Sequence, residues 1–142
     1  MVIKGLFLIF LLFHGLVDQK TKKVYMPAVG LQVCLGFILD LLWGRAVTEI
    51  FYAILPGLLI FLVAYVSEER IGYGDGYICL AAALYMSASD LLFWLFLAFL
   101  LAGLFALLSY GTRLLEETLE IPFVPFLCLA DLLLLLFGRG GL

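Results

Sequence analysis

Residues 91–110 read LLFWLFLAFLLAGLFALLSY and carry no charged side chain. A helix needs about 20 largely apolar residues to cross the roughly 30 Å hydrocarbon core of a bilayer. The stretch has that length, and no acidic or basic residue interrupts it. It therefore predicts a membrane-spanning helix.

The whole chain shares this apolar character. Of its 142 residues, 66% are apolar and only 13% are charged, whereas ordinary soluble domains have about 25% charged residues. A soluble core of this size could not hide so much apolar surface. The net charge of −3 and the lack of a dense basic run argue against nucleic acid as a partner. The sequence thus predicts an all-α integral membrane protein embedded in the lipid bilayer.

Other apolar segments accompany this stretch, so about six transmembrane helices are expected. The expected helices are residues 2–17, 26–43, 50–66, 76–88, 91–110 and 122–137. The fourth is short, because its residues rise only about 20 Å. We therefore expect its start at Asp75 to lie below the membrane surface. The glycine-rich stretch 72–76 is expected to be non-helical backbone surrounded by protein or by a water-filled cavity.

The positive charges between these segments are distributed unevenly. The connections after the first, third and fifth segments share one side of the membrane. They carry Lys20, Lys22, Lys23, Arg70 and Arg113, while the opposite side has Lys4, Arg45 and Arg139. By the positive-inside rule, we expect the first set in the cytoplasm. Asp18 and Asp75 then lie on the cytoplasmic side.

Ionisable groups at membrane depth are costly, so Asp18 and Asp75 are functional candidates. Asp18 ends the first expected helix and Asp75 begins the fourth, at a similar depth. Two facing carboxyl groups suit amide hydrolysis, because the ionised one takes a proton from water while the protonated one donates to the carbonyl oxygen or the leaving amine. The other interpretation of Asp75 is a capping residue at a helix N-terminus, beside a glycine turn.

Three motifs resemble those of one peptidase family. Residues 72–75, GYGD, are similar to the GxGD motif of the prepilin peptidases, or type IV leader peptidases, and of the archaeal preflagellin peptidases. Residues 18–24, DQKTKKV, resemble the first aspartate site of that family. Residues 121–127, IPFVPFL, resemble the proline-rich start of its last helix. The three matches follow the order of the family and cover essentially the whole chain.

The resemblance implies an aspartic endopeptidase of the prokaryotic cytoplasmic membrane, with residues 1–142 as a single transmembrane peptidase domain. Such an enzyme would cleave the basic leader peptide of type IV prepilin-like proteins, substrates of pilus assembly and protein secretion, at the cytoplasmic face. Asp18 and Asp75 would be the catalytic pair, without a metal or an organic cofactor. The implied active-site loop consists of Gly72, Tyr73, Gly74 and Gly76.

The chain departs from the family pattern beside both aspartates. Residues 24–26 read VYM where the family usually has Ile-Pro-Asn, and Gly76 and Tyr77 replace a frequent Val-Lys pair. Both aspartates are retained. The chain lacks the cysteine-rich cytoplasmic insertion of the larger bacterial members, so no N-methyltransferase activity is expected.

Several other polar residues carry further hypotheses. His14 lies one turn before Asp18 on the same helix face and could influence the proton of that aspartate. Asp131 lies well inside the sixth segment, where it needs a partner that the sequence does not name. A set of glutamates could attract a basic leader or simply form a solvated face. This set is Glu68, Glu69, Glu116, Glu117 and Glu120.

Two alternative functions stay open at this point. A catalytically inactive relative would act as a membrane assembly subunit. A small transporter subunit would use Asp75 and Asp131 as proton or cation sites. The retained aspartates favour an enzyme, and the gathering of polar residues at one side of the membrane argues against a transporter. The sequence names neither the substrate nor the oligomeric state.

Overall fold

The computed structural model describes residues 2–21, 24–66, 73–112 and 123–137, and within these residues the fold is entirely helical. The described residues form six α-helices. They are α1 (Val2–Thr21), α2 (Met26–Trp43), α3 (Val47–Val66), α4 (Tyr73–Ala82), α5 (Ala88–Thr112) and α6 (Val124–Leu136). The prediction of an all-α fold is confirmed.

Three of the described helices are long and apolar enough to cross a membrane. They are Met26–Trp43, Val47–Val66 and the Ala88–Ser109 part of α5. The sixth helix is apolar but shorter. Large apolar side chains are exposed along these helices, as expected for surfaces that face lipid rather than water. The protein is therefore a multi-pass membrane protein.

The short fourth helix differs from the expectation at both ends. It covers Tyr73–Ala82 instead of 76–88, so the prediction of non-helical backbone is wrong for residues 73–76. Gly72 lies outside the described residues. The physical reason is that Gly74 and Gly76 serve close packing. Among the described glycines, Gly44 is the one with positive φ.

Close contacts with glycines enclose α4 between α2 and α3. A Cβ placed on Gly57 of α3 would lie 2.8 Å from the carbonyl oxygen of Cys79. A Cβ on Gly36 of α2 would lie 2.7 Å from Cβ of Leu84, just past the end of α4. Real Cβ atoms do not approach so closely. The missing side chains therefore let α3 press directly against the α4 backbone and let α2 pack closely on the turn that follows α4.

A second layer joins α1, α5 and α6 through buried aromatic and polar contacts. The Trp94 indole is fully buried and donates its N–H to the carbonyl oxygen of Leu127 at 3.0 Å. The Phe7 ring lies 5.5 Å from the Trp94 ring in an edge-on arrangement. The Cys128 thiol donates to the carbonyl oxygen of Leu11 at 3.0 Å. These contacts fix α1 against α6.

Gly57→Ala is expected to destabilise the fold, because the added methyl group would push α3 away from the α4 backbone. Overpacking of this kind costs about 1–3 kcal/mol. Gly30→Ala is the matched control, since nothing lies within 4 Å of a Cβ at that helical position. It should be neutral or stabilising by up to about 1 kcal/mol. Thermal unfolding in detergent micelles measures both, and equal melting temperatures for the two variants would contradict the packing argument.

Candidate active site

Asp18 belongs to the buried face of α1. Phe7, Leu11, His14 and Asp18 recur at helical spacing and are all buried. The Asp18 carboxylate accepts a hydrogen bond from the backbone N–H of Val124, the first residue of α6. The first N–H groups of a helix have no partner within the helix, so they are free to bind a carboxylate. The start of α6 thus orients Asp18.

Asp75 lies in the first turn of α4 and is partly buried. Its carboxyl group is near enough to that of Asp18 for the two negative charges to act on each other. Helices far apart in the sequence therefore place the two carboxyl groups within electrostatic range of each other. Each negative charge disfavours ionisation of the other group.

The start of α4 packs against Val24 and Phe61. A Cβ on Gly74 would overlap the side chain of Val24, which follows Asp18 by six positions. A Cβ on Gly76 would lie 3.0 Å from Cδ2 of Phe61. The rings of Tyr73 and Tyr77 lie 6.3 Å and 5.1 Å from the same Phe61 ring. The helix start is therefore held between the α1–α2 connection and α3.

The remaining residues of the predicted site fall in segments that the structure leaves undescribed. These are Gly72, Glu68, Glu69, Glu116, Glu117 and Glu120. Their roles stay predictions. Within the described residues, no group of three or more His, Cys, Asp or Glu side chains is arranged to hold a metal ion.

His14 is fully buried one helical turn from Asp18. Its Nδ1 lies 2.7 Å from the carbonyl oxygen of Phe10. A carbonyl oxygen can only accept, so the N–H of this bond is on Nδ1. Its Nε2 is buried and forms no hydrogen bond within the described part of the chain. The sequence indicated the shared face with Asp18, and the structure adds the orientation of the ring.

Asp131 has a counter-charge that the sequence analysis could not name. It is buried at 1% exposure, and its carboxylate interacts electrostatically with the Lys4 ammonium group. The same ammonium group lies 3.0 Å from Oδ2 of Asp90. Lys4 thus pairs α1 with α5, and its charge also acts on Asp131 of α6. Only the folded chain reveals this arrangement.

A comparison with known protein families bears directly on this geometry. The sequence model of the Type IV leader peptidase family matches residues 5–107, a range that contains both Asp18 and Asp75. The chain belongs to the type IV leader peptidase family. This membership confirms the resemblance seen in the motifs and indicates a peptidase. No curated protein and no solved structure matches the chain in the corresponding searches.

The contact between Gly74 and Val24 of this leader peptidase family member should appear as energetic coupling. Gly74→Ala alone is expected to destabilise the protein, and adding Val24→Ala should restore part of the loss by removing the obstructing side chain. Coupling between residues in contact is typically about 0.5–3 kcal/mol.

Unfolding free energies of both single variants and the double variant in micelles give this coupling. Gly5→Ala is the control, because a Cβ on that α1 glycine meets nothing within 4 Å. Additive effects of Gly74→Ala and Val24→Ala would contradict the observed contact.

Proposed function

We propose that this protein is an aspartic endopeptidase that removes the basic leader peptide of type IV prepilin-like proteins at the cytoplasmic face of the cell membrane. The observation that carries the proposal is that the Asp18 and Asp75 carboxyl groups, from helices far apart in the sequence, lie within electrostatic range of each other. Membership of the type IV leader peptidase family supports the reaction class.

The geometry suggests different roles for the two carboxyl groups. The Val124 N–H points at the Asp18 carboxylate, and a hydrogen bond to the charged form favours that form. In the proposed reaction Asp18 is the ionised member, which takes a proton from the attacking water. Asp75 is the protonated member and donates to the carbonyl oxygen of the scissile amide.

The acidic residues expected around the Asp18 end of the bundle would attract a basic leader peptide. The cationic cluster of Lys20, Lys22 and Lys23 favours a cytoplasmic location of the Asp18 end. The glutamates at positions 68, 69, 116, 117 and 120 belong to the connections expected on that same side. They would raise the local concentration of a positively charged leader before cleavage. The substrate's hydrophobic helix would stay in the bilayer next to the bundle.

A transporter would need polar groups at several depths in the membrane that are not already used to hold the fold together. Two buried acids away from the candidate site lie near a positive charge. The Asp40 carboxylate lies 3.5 Å from the Arg45 guanidinium, and Asp131 interacts with Lys4. The Gln32 side-chain amide is buried and makes no hydrogen bond within the described residues. Oδ2 of Asp40 and Oδ2 of Asp131 are likewise buried without a hydrogen bond within the described residues. These groups alone do not decide against an ion pathway, and membership of a peptidase family is what favours the enzyme.

Asp18→Asn and Asp75→Asn should each abolish cleavage of a co-expressed prepilin-like substrate, with losses of at least about 10²-fold, because each removes a proton-transfer group. Asp90→Asn is the matched control, since Asp90 lies at the start of α5 and pairs with Lys4. Its cleavage rate should stay near that of the parent. Cleavage that survives at Asp18→Asn or Asp75→Asn would refute the catalytic assignment. A parent chain that leaves every substrate intact would favour an inactive assembly subunit.

Reversing the charge of Glu116, Glu117 and Glu120 to Lys should slow cleavage of basic leaders selectively. The expected cause is loss of electrostatic attraction, so the difference from the parent should shrink at high salt. A substrate with a neutralised leader provides the control, because its cleavage should be unaffected. Equal slowing of both substrates would contradict a role in recognising leader charge.

A further inference from the structure

The end of α4 opposite Asp75 is held by an arginine from another connection. Nη1 of Arg45 donates to the carbonyl oxygen of Ala83 at 3.0 Å, and Nη2 donates to that of Met86 at 2.7 Å. Arg45 follows α2, whereas both acceptors belong to the turn that follows α4. One guanidinium group thus joins two connections that lie far apart in the sequence.

This turn needs such a partner because it is buried. Ala83 is fully buried, and Tyr85 and Met86 are 4% and 3% exposed. The backbone from Ala83 to Met86 is not helical, so its carbonyl groups lack the regular helical partners. Irregular backbone inside a membrane domain is tolerated only when protein or water satisfies its polar groups. A cation at a helix C-terminus also interacts favourably with the helix dipole.

Arg45 is itself held in a fixed orientation. Gly44 adopts a left-handed conformation with φ of 66°, which turns the chain back towards the bundle. The Arg45 backbone N–H then donates to the carbonyl oxygen of Asp40 at 3.2 Å. The Asp40 carboxylate lies 3.5 Å from Nη1 of Arg45 and is buried with it. By contrast, Glu49 approaches Arg45 only at 3.9 Å and is largely exposed.

The contacts along α4 divide into two kinds. The glycine contacts at Gly57 and Gly76 determine how closely the neighbouring helices approach α4, but they do not fix its position along its own axis. Hydrogen bonds at the end of a helix do fix that position. Asp75 precedes Ala83 by eight positions, or about 12 Å along a helix. A shift of the held end along the axis therefore moves Asp75 by a similar amount relative to Asp18.

We propose that Arg45 is a positioning residue for the peptidase reaction, because its hydrogen bonds to Ala83 and Met86 fix the axial position of α4 and thereby place Asp75 against Asp18. The inference rests on the proposed function for its kinetic consequence. The placement of the two aspartates is a structural statement that is testable without any substrate.

Arg45→Gln is expected to lower kcat by about 10- to 100-fold while KM changes by less than about threefold, since a misplacement of about 1 Å at a reacting group costs up to about 10² in rate. Arg45→Lys should recover part of kcat, because an ammonium group still reaches one of the carbonyl oxygens. Glu49→Gln is the matched control. It removes an exposed partner of Arg45 without touching the hydrogen bonds to α4, so its kcat should equal that of the parent.

Loss of Arg45 also leaves the buried Asp40 carboxylate without its counter-charge, which destabilises the protein. The double variant Asp40→Asn/Arg45→Gln removes this cost and should regain stability in micelles. Its kcat per folded molecule should nevertheless stay low, because the turn after α4 still lacks the hydrogen bonds from the guanidinium group. A double variant that is folded and turns over within about twofold of the parent would overturn the proposal. Arg45→Lys behaving no better than Arg45→Gln would also overturn it.

Chemical cross-linking tests the placement independently of activity. Asp18→Cys and Asp75→Cys are combined in a chain whose native cysteines, Cys34, Cys79 and Cys128, are changed to Ala. A short bis-methanethiosulfonate reagent should join the two new thiols efficiently, and adding Arg45→Gln should lower the yield at least severalfold. Equal yields with and without Arg45 would overturn the proposal. If the parent protein cleaves no substrate, the proposed function fails, and the cross-linking result still decides the role of Arg45.

Discussion

A helix of ten residues rises only about 15 Å, half of the hydrocarbon thickness, so both of its ends must find polar partners inside the protein. This constraint on α4 accounts for much of the remaining structure. Gly57 lets α3 approach the backbone of α4, and Gly36 lets α2 approach the turn that follows it. At one end a guanidinium group satisfies the buried carbonyl groups. At the other end lies a carboxyl group that the proposed reaction requires to be near a second one.

The two aspartates occupy different surroundings. Asp18 is buried near the end of α1 and receives a backbone N–H from the start of α6. Asp75 lies in the first turn of α4 and is only partly buried. Such asymmetry is useful for acid–base chemistry, because two identical environments would give the two groups no reason to hold different protonation states.

The sequence predicted the helices best where local signals determine their bounds. The predicted range of α2 agrees with Met26–Trp43, because Pro27 near its start and Gly44 after its end are local helix signals. The ends of α4 were predicted less well, since the helix stops where Arg45 from another connection binds the following turn. A pattern of apolar residues carries no information about such a partner.

In the candidate site, too, the sequence predicted residues that carry a local signal and missed those that depend on distant contacts. The GYGD motif indicated Asp75, and the polar position in an apolar helix indicated Asp18. The sequence placed Arg45 among the loop charges that determine topology, and it left Asp131 without a partner. The role of Arg45 and the surroundings of Asp131 both depend on residues that are distant along the chain. Neither the hydrogen bond from Val124 nor the charge of Lys4 near Asp131 corresponds to a sequence pattern.

The contacts of α1 have a consequence for the order of events during biosynthesis. This helix is synthesised well before α6, yet Asp18 obtains its N–H donor from α6, and a buried carboxylate of α6 lies near Lys4. Until α6 has entered the bilayer, both polar groups must stay near lipid headgroups or water. Asp18 therefore reaches its final surroundings only after α6 has been inserted, so the proposed site is assembled late in membrane insertion.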